Sequence, residues 1–461
     1  MKIYSVNPKN EKILGEAEED SAKEVQNVFS RAKSAFIEWS NSSFSFRAKK
    51  LMQIGKELQK KKKKLADLIS NEMGKPLQEA LLEVDETIQL IKFFSKSSEK
   101  LLKEKKIKQN SKQTSLIKFE PLGVIGIITP WNYPVSTPSW ALVPALMAGN
   151  TVIFKPSEKV PLTSIELAKI YSRNLPENVF SIVVGRASAA QELIRQDLGK
   201  VVFVGSNANG KKVFEETAKQ GIPAVIEMSG KDAFIVLRDA NLEEASNAAV
   251  YGAFNNNGQN CCSAERILVD EKIAENFVDM VYNKTKKLRI GADLGPLADE
   301  AQLNKVVNRV NEAIEAKSII LTGGKKIKRK GFFFEPTIIV NANENSRIMR
   351  EETFGPVMCI NFFKTEKEAV EKANNSAYGL SASIWTKNKK KAEEMASKIK
   401  AGTVWVNEIN LPFHDCPWSG TKNSAIGSLL GEEGLKEFTQ VKHILIDKSN
   451  SNSRKHWFPY K

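Results

Sequence analysis

The sequence contains few cysteines, few histidines and no long apolar run. Its 461 residues include four cysteines and three histidines. Two cysteines are adjacent and two are isolated, which predicts neither a disulfide framework nor a metal site. So few histidines argue against histidine-based metal or triad chemistry. No apolar stretch approaches the roughly 20 residues that span a bilayer, and the first residues lack the apolar segment of a secretory signal. We therefore expect a cytoplasmic protein without metal and without membrane contact.

Acidic residues are fewer than basic residues. The chain has 69 lysines and arginines against 54 aspartates and glutamates, a net charge of +15. Such an excess can indicate nucleic-acid binding. The densest run, Lys60 to Lys64, lies in a segment whose apolar residues recur at helical spacing, which is typical of a solvated helix face. We therefore predict no nucleic-acid partner.

The apolar pattern divides the chain into a helical beginning and two α/β regions. Helical periodicity predicts helices over residues 25–39, 46–70 and 77–102, and an isolated strand follows at 114–120. Short apolar, β-branched runs predict strands at 124–128, 151–154, 181–184, 201–204, 233–237, 266–269, 318–321 and 403–406. Near-continuous apolar runs separated by helices are typical of buried parallel strands. The sequence therefore predicts two open α/β domains in series.

One cysteine and one glutamate have the chemistry needed to make and hydrolyse a thioester. Cys261 follows the turn Gly258-Gln259, in an irregular loop where a thiol can be reactive. Cys262 alternates with it and is expected to point into the packed interior. Glu227 ends an apolar strand-like run 34 residues earlier, which disfavours a simple surface position. A buried structural cysteine and an ion-paired glutamate are the alternatives.

A proline-bounded turn follows the first predicted strand of the α/β region. It reads Thr129-Pro130-Trp131-Asn132-Tyr133-Pro134. The prolines fix the turn and so aim the Asn132 amide. That amide could stabilise an oxyanion, or Asn132 could simply form the turn.

Two further segments have the features of a nucleotide site. Lys155 and Glu158 follow the second strand, where a cofactor ribose could lie, although a surface ion pair is the alternative. Gly205 and Ser206 open a strand–turn–helix unit whose free N–H groups would suit a phosphate. Its spacing to Gly210 matches neither a P-loop nor the usual dinucleotide fingerprint, so an ordinary strand–helix turn is equally open.

In this order the motifs resemble those of the NAD(P)-dependent aldehyde dehydrogenase superfamily, including succinate-semialdehyde dehydrogenase-like members. The likeness extends from Asn7-Pro8 to Lys442. The matching motifs are Pro-Trp-Asn at 130–132, Lys-Pro-Ser-Glu at 155–158, Phe-Val-Gly-Ser at 203–206, Glu-x-x-Gly-Lys at 227–231, Gly-Gln-x-Cys at 258–261, Glu-Glu-Thr-Phe-Gly-Pro at 351–356 and Pro-Trp-x-Gly-x-Lys at 417–422.

The resemblance implies an α/β fold with two Rossmann-type open domains and a small β element for oligomerisation. It implies a dinucleotide-binding domain at 1–104 and 122–229 and a catalytic domain at 230–430. It further implies oligomerisation strands and a C-terminal tail at 105–121 and 431–461. A homodimer or homotetramer would form through the strands at 114–120 and 441–446.

The resemblance also implies roles for single residues. Cys261 is the nucleophile, Glu227 is the base that activates water, and Asn132 with a backbone N–H stabilises the oxyanion. The residues implied to bind the cofactor are Thr129, Pro130, Trp131, Lys155, Ser157, Glu158, Gly205, Ser206, Glu352 and Phe354. The cofactor is expected to be NAD, with NADP not excluded, because Glu158 near the ribose would repel a 2′-phosphate.

The implied reaction is oxidation of a small-molecule aldehyde, with succinate semialdehyde as a candidate, to the acid through a thiohemiacetal and a thioester. The alternative is a CoA-dependent, acylating enzyme that interconverts succinyl-CoA or malonyl-CoA and a semialdehyde. Glu227 argues against that alternative, while Ser229, where many relatives have glycine, and the basic surface keep it open.

The sequence also bears on the substrate. Semialdehyde-specific members often carry an arginine after the Pro-Trp-Asn turn, and residues 136–140 contain none. Five aromatic residues could line a substrate tunnel or belong to the core: Trp131, Trp140, Trp405, Phe413 and Trp418.

Overall fold

The computed structural model describes residues 1–449 and 457–458. The helices are α1 Ala22–Asn41, α2 Phe44–Glu72, α3 Leu77–Leu101, α4 Ser136–Met147, α5 Pro161–Asn174, α6 Ala187–Ile194, α7 Asn207–Lys219, α8 Leu242–Phe254, α9 Ala274–Thr285, α10 Glu300–Glu315, α11 Arg347–Arg350, α12 Glu366–Asn374, α13 Lys389–Ala396 and α14 Gly431–Lys436, with short 3-10 helices at Asn255–Gly258 and Glu271–Ile273. The predicted C-terminal tail beyond residue 449 lies, apart from Trp457 and Phe458, outside the described residues.

The strands of the described residues are short and numerous. They are β1 Lys2–Val6, β2 Ile13–Glu18, β3 Lys105–Lys108, β4 Gln113–Pro121, β5 Val124–Ile128, β6 Thr151–Lys155, β7 Phe180–Ile182, β8 Lys200–Val204, β9 Ala224–Glu227, β10 Ala233–Val236, β11 Arg266–Asp270, β12 Ile319–Thr322, β13 Thr337–Val340, β14 Val357–Phe363, β15 Tyr378–Gly379, β16 Ser381–Trp385, β17 Thr403–Val406, β18 Trp418–Ser419, β19 Thr421–Lys422, β20 Ala425–Ile426, β21 Ser428–Leu429 and β22 Thr439–Asp447.

The three N-terminal helices are confirmed, and their ends follow from capping. The Ser21 side chain accepts a hydrogen bond from the Glu24 N–H, and the Glu24 carboxylate accepts one from the Ser21 N–H, so both orphan donors at the start of α1 are satisfied. The lysine run on α2 is paired with carboxylates, for example Lys64 with Glu166 at 2.8 Å. Such pairing agrees with a solvated helix face.

A six-stranded sheet contains the first predicted set of strands. Its order is β20-β9-β8-β5-β6-β7, and all neighbours are parallel except β20, which pairs antiparallel with β9. Strands β5, β6 and β8 are buried along their whole length, which explains their unbroken apolar runs. After β7 the chain returns to the other side of β5, so a topological switch point lies between β5 and β8. Ligands of open α/β sheets collect at such a point.

A seven-stranded sheet contains the second set, in the order β12-β13-β14-β11-β10-β16-β17. Strands β10 and β11 confirm the prediction of buried parallel strands. Strand β17 is parallel as predicted but only partly buried, at the sheet edge. The prediction was wrong for β12, which pairs antiparallel with β13 at the sheet edge and is partly exposed. Both faces of β12 carry apolar residues, so its sequence resembles that of a buried strand. One face packs on α10 through Ile320, and the other faces solvent.

Strand β4, which has no neighbouring strand in the sequence prediction, pairs with β22 near the C-terminal end of the described residues. Strands β4 and β22 pair antiparallel along their length, and β3 completes a three-stranded sheet. The N-terminal hairpin of β1 and β2 was not predicted.

The domain boundaries stay a prediction. Strand β20, from the segment assigned to the catalytic domain, pairs with the sheet of the dinucleotide-binding domain. Within the described part of the chain, no helix has both the length and the apolar character needed to cross a membrane.

Candidate active site

The predicted site residues gather at one edge of the six-stranded sheet. The turn of residues 129–132 follows β5, Lys155 ends β6, Gly205 and Ser206 follow β8, and Glu227 ends β9. The carboxyl ends of neighbouring parallel strands meet at the same edge. Four motifs that are far apart in the chain therefore lie at one edge of the sheet.

Two consecutive asparagines shape the loop that carries Cys261. Asn256 and Asn257 are left-handed, with φ of 51° and 59°, a conformation that asparagine tolerates better than most residues. The Asn256 amide donates to the backbone carbonyls of Asn132 and Gln259, both at 3.0 Å. This side chain therefore joins the turn of the predicted oxyanion residue to the nucleophile loop.

The Cys261 thiol lies against two other acidic groups. A hydrogen bond with Cys262 is the main reason that the pKa of Cys261 is raised well above its ordinary value, and burial and the charge of Glu227 act in the same direction. Burial raises the pKa of Glu227 to about 8, although a hydrogen bond with Cys261 opposes the shift. Both groups therefore hold their protons at neutral pH.

The prediction that Cys262 is buried is confirmed, but the prediction that it points away from Cys261 is wrong. Its side chain is buried, as expected. Its thiol is not turned away from Cys261, however, because both thiols lie near the Asn260 amide oxygen, at 3.3 Å for Cys262 and 3.9 Å for Cys261. The loop is not an extended strand, so neighbouring side chains do not alternate strictly.

One N–H of the Asn132 side-chain amide is free to bind a ligand. Its nitrogen donates to the Gln259 carbonyl at 3.1 Å, which leaves the second N–H of the amide available. Its oxygen has no hydrogen-bond partner among the residues that the structure describes, and the same holds for Glu227 Oε1 and the Trp418 indole N–H. Buried polar atoms without partners are uncommon in folded proteins, so their presence together is typical of a ligand site.

A cavity of about 580 Å³ connects these groups. The predicted residues that line it are Pro130, Trp131, Asn132, Gly205, Ser206, Glu227, Cys261, Glu352 and Phe354. The predicted residues outside its lining are Thr129, Lys155, Ser157 and Glu158. Those four lie at the ends of β5 and β6 or just beyond them.

The residues around the switch point fit a dinucleotide. Ser206 caps α7, where its hydroxyl accepts from the Asn209 N–H, and first-turn N–H groups of such a helix suit a phosphate. The Gly205 backbone follows β8 without a side chain that would cover this turn. Lys155 and Glu158 pair at 3.7 Å, and ribose hydroxyls can bond with groups of this kind. Bound NAD would be held by these residues and supply a hydride acceptor.

The five aromatic residues singled out in the sequence lie in the cavity lining, in the core or at the surface. Trp131, Trp140 and Trp418 line the cavity. Trp140 and Trp418 meet edge to face, with ring centroids 5.6 Å apart. Trp405 is buried and packs on Trp418, whereas Phe413 is 55% exposed. The expectation of a tunnel lining thus holds for three of the five residues.

Several lining residues were missed by the sequence analysis. Glu79, Glu83 and Glu86 line the cavity from α3. Their spacing of four and then three residues places them on one helix face, so the signal was available. Burial raises the pKa of both Glu79 and Glu86 to about 7, and the Trp140 indole donates to Glu86 at 3.0 Å.

Comparison with known proteins agrees with this geometry. A family model described as "Aldehyde dehydrogenase family" matches residues 1–444. Aminoaldehyde dehydrogenase 1, peroxisomal, of Pisum sativum is 35% identical over 463 residues, which cover 96% of this chain and 92% of the relative. Betaine aldehyde dehydrogenase of Bacillus subtilis (strain 168) is 34% identical over 468 residues, covering 98% and 95%. A crystal structure of betaine aldehyde dehydrogenase from Staphylococcus aureus in complex with NAD+ has a TM-score of 0.95 at 32% identity and covers 99% of this chain and 94% of that one.

Proposed function

The chain belongs to the aldehyde dehydrogenase family and is an NAD-dependent enzyme, and we propose that it oxidises small cationic aldehydes to carboxylic acids. The observation that carries this proposal is the lining of the cavity, which combines carboxylates with aromatic rings.

Cys261 attacks the carbonyl carbon of the aldehyde. The thiol first loses its proton, for which Glu227 is the adjacent acceptor once it is ionised. The new oxyanion accepts a hydrogen bond from the free N–H of the Asn132 amide and from a backbone N–H of the nucleophile loop. Bound NAD would supply the acceptor for the hydride that leaves the carbon, and Cys261 then holds the acyl group as a thioester.

Hydrolysis of the thioester returns the enzyme to its starting state. Glu227 first releases to solvent the proton that it took from Cys261 and then takes a proton from water, and the resulting hydroxide attacks the acyl carbon. The carbon–sulfur bond breaks, the carboxylic acid leaves, and Cys261 is released as a thiolate. The position of Glu227 beside Cys261 supports water as the acceptor.

The charge of the cavity supports a cationic substrate. Asp85 and Glu86 line it together with Glu79, whereas no arginine is found in the lining formed by residues 1–449 and 457–458. Lys305 is the lysine of the lining, and it lies near Glu352, at the cofactor side. In their ionised forms these carboxylates attract an ammonium group, which in turn favours the ionised forms of Glu79 and Glu86 over the neutral forms that burial favours. The lining gives the carboxylate of succinate semialdehyde no comparable partner.

The aromatic rings support the same substrate class. Trp140, Trp418 and Tyr133 line the cavity, and aromatic faces attract ammonium and quaternary ammonium groups. Several relatives are named for aminoaldehydes or betaine aldehyde, substrates that carry such a cation. We therefore propose an ω-aminoaldehyde or a trimethylammonium aldehyde as the substrate.

A substrate panel of matched chain length tests this proposal. The purified enzyme with NAD should show a kcat/KM at least tenfold higher for 4-aminobutanal and its trimethylammonium analogue than for succinate semialdehyde. Glu86→Gln should reduce this preference and leave butanal unaffected, because only the cationic substrates use the charge. A higher kcat/KM for succinate semialdehyde than for the cations would refute the substrate class. Formation of an acyl-CoA product on addition of CoA would instead support the acylating alternative.

We also propose that copies of the chain associate through the three-stranded sheet. Strand β22 is at its edge and exposes Val441 and Leu445, which are 55% and 53% accessible. An exposed apolar edge strand readily pairs with another chain. Sedimentation should give a dimer or tetramer, and Leu445→Lys should shift it towards monomer. A cytoplasmic location stays a prediction from the sequence.

A further inference from the structure

Lys231 and Glu265 form a buried ion pair that has no part in the chemistry proposed above. The geometry points to this pair as the device that holds the segment Glu352–Phe354 in the position needed to bind the cofactor. Lys231 and Glu265 are thus positioning residues, and this role rests on the proposed function. Both side chains are 2% exposed or less, and the lysine nitrogen donates to Glu265 Oε2.

Glu265 binds the segment through its backbone. Its carboxylate accepts from the Thr353 N–H at 3.0 and 2.9 Å and from the Phe354 N–H at 2.9 Å. A carboxylate that accepts two adjacent backbone N–H groups fixes the direction of both peptide planes. The segment therefore cannot rotate without losing charge-assisted hydrogen bonds.

Lys231 makes this arrangement tolerable in the interior. A buried carboxylate without a counter-charge is strongly disfavoured. Lys231 supplies that charge, and its nitrogen also lies 3.5 Å from the Thr353 hydroxyl. Removing the lysine should favour a segment that moves towards solvent.

The segment requires such support because its conformation is unfavourable. Phe354 has φ of +56°, a region that aromatic residues rarely adopt. The Gln302 amide donates to the Phe354 carbonyl at 2.6 Å, so the peptide is held from both sides. The Phe354 ring then meets Trp131, with ring centroids 5.6 Å apart, and both rings line the cavity.

The pair also links the segment to both catalytic motifs. Lys231 lies four residues after Glu227, and Glu265 lies four residues after Cys261. The Gly230 N–H donates to the Glu352 carboxylate at 3.2 Å. The two chain segments that carry the base and the nucleophile therefore both fix the position of residues 352–354, which explains a lysine in the Glu-x-x-Gly-Lys motif that needs no contact with substrate.

NAD binding without turnover tests the inference. Lys231→Met should raise the Kd for NAD, measured by calorimetry, at least tenfold. Its hydrolysis of p-nitrophenyl acetate without NAD should stay within twofold of wild type, because acylation of Cys261 by that ester needs no cofactor. The double variant K231M/E265Q should bind NAD at least threefold more tightly than K231M, because an uncharged glutamine oxygen still accepts from residues 353 and 354 and no buried charge is left alone.

Glu72→Gln is the matched control. Glu72 is also a buried carboxylate that accepts two backbone N–H groups, from Leu162 and Thr163 at 2.9 and 2.6 Å. The Glu72→Gln variant should have lower thermal stability than wild type, and its Kd for NAD should stay within twofold of the wild-type value. If K231M is insoluble, E265Q replaces it, with an expected rise in Kd of at least fivefold.

Three results would overturn the inference: an NAD affinity of K231M within twofold of wild type, a parallel loss of ester hydrolysis, or an equal loss of NAD affinity in E72Q. Each would reduce the pair to ordinary structural support. A wild-type protein that neither binds NAD nor oxidises an aldehyde would refute the proposed function instead. The two failures are therefore distinguishable.

Discussion

Gly230 packs directly against the backbone carbonyl of Cys261. A Cβ atom built on Gly230 would lie 2.2 Å from that oxygen, which is closer than nonbonded atoms approach. The base motif and the nucleophile loop are therefore in contact at a point where no side chain fits. This contact brings Cys261 beside Glu227 across 34 residues of chain.

Gly230→Ala should displace the nucleophile loop. The added methyl group must push away the Cys261 carbonyl, so we expect p-nitrophenol release from p-nitrophenyl acetate to fall at least 100-fold. Gly55→Ala is the control, because its Cβ would meet Ile91 at an ordinary 3.5 Å and alanine favours a helix by about 1 kcal/mol. Full ester hydrolysis by G230A would contradict the close contact.

Glu227→Gln should separate acylation from hydrolysis. The variant should release NADH once per active site, in a slower burst because Cys261 also loses its proton acceptor, and should then turn over at least 100-fold more slowly because no carboxylate remains to deprotonate water. In the wild type, steady-state turnover should rise as pH increases through about 8, since burial raises the pKa of Glu227 to about 8. A pH profile of the wild type without that rise would remove Glu227 as the base.

The raised pKa of Glu227 also affects stability. Between pH 4.5 and about 8 the folded state holds a proton that the unfolded state has lost. The contribution of Glu227 to the free energy of unfolding therefore falls as pH rises through this window. Glu227→Gln cannot titrate, so its stability relative to wild type should increase between pH 5 and 8, as measured by urea unfolding. An unchanged difference across that range would contradict the shift.

Cys261→Ala and Cys262→Ala should have opposite consequences. The first should abolish both aldehyde oxidation and ester hydrolysis. The second should retain both within about tenfold and should react faster with iodoacetamide at pH 8, because the hydrogen bond with Cys262 is the largest cause of the raised pKa of Cys261. Loss of ester hydrolysis in C262A with normal activity of C261A would reverse the assignment of the nucleophile.

Glu158→Gln should change the cofactor preference. The Glu158 side chain is part of an ion pair with Lys155 at 3.7 Å, and its charge opposes a 2′-phosphate. We expect kcat/KM for NADP to rise about tenfold relative to that for NAD, with the same aldehyde in both assays. An unchanged ratio would show that Glu158 does not face the ribose.

Regular elements were largely predictable from the sequence because their apolar patterns are local. The buried strands β5, β6 and β8 each contain a near-continuous apolar run, and α1 has a serine–glutamate cap three residues apart. Strand β12 was assigned the wrong pairing, since an edge strand and a buried strand can have similar apolar runs. The hairpin of β1 and β2 was missed because its short strands bury few residues.

The sequence alone indicates which residue types carry the chemistry. A thiol in a glycine-rich turn, a carboxylate after an apolar strand and an amide between prolines are properties of short segments, and their order is typical of one family. It could also have indicated the acidic face of α3, since Glu79, Glu83 and Glu86 recur at helical spacing.

How these groups meet depends on the folded chain. The contact between Gly230 and the Cys261 carbonyl, the thiol of Cys262 beside that of Cys261, and the hold of Glu265 on Phe354 all join segments through packing. Burial, which moves the pKa of Glu227 to about 8, is likewise a property of the folded chain. Distances between remote residues and the exclusion of water depend on the whole fold, and no local pattern encodes them.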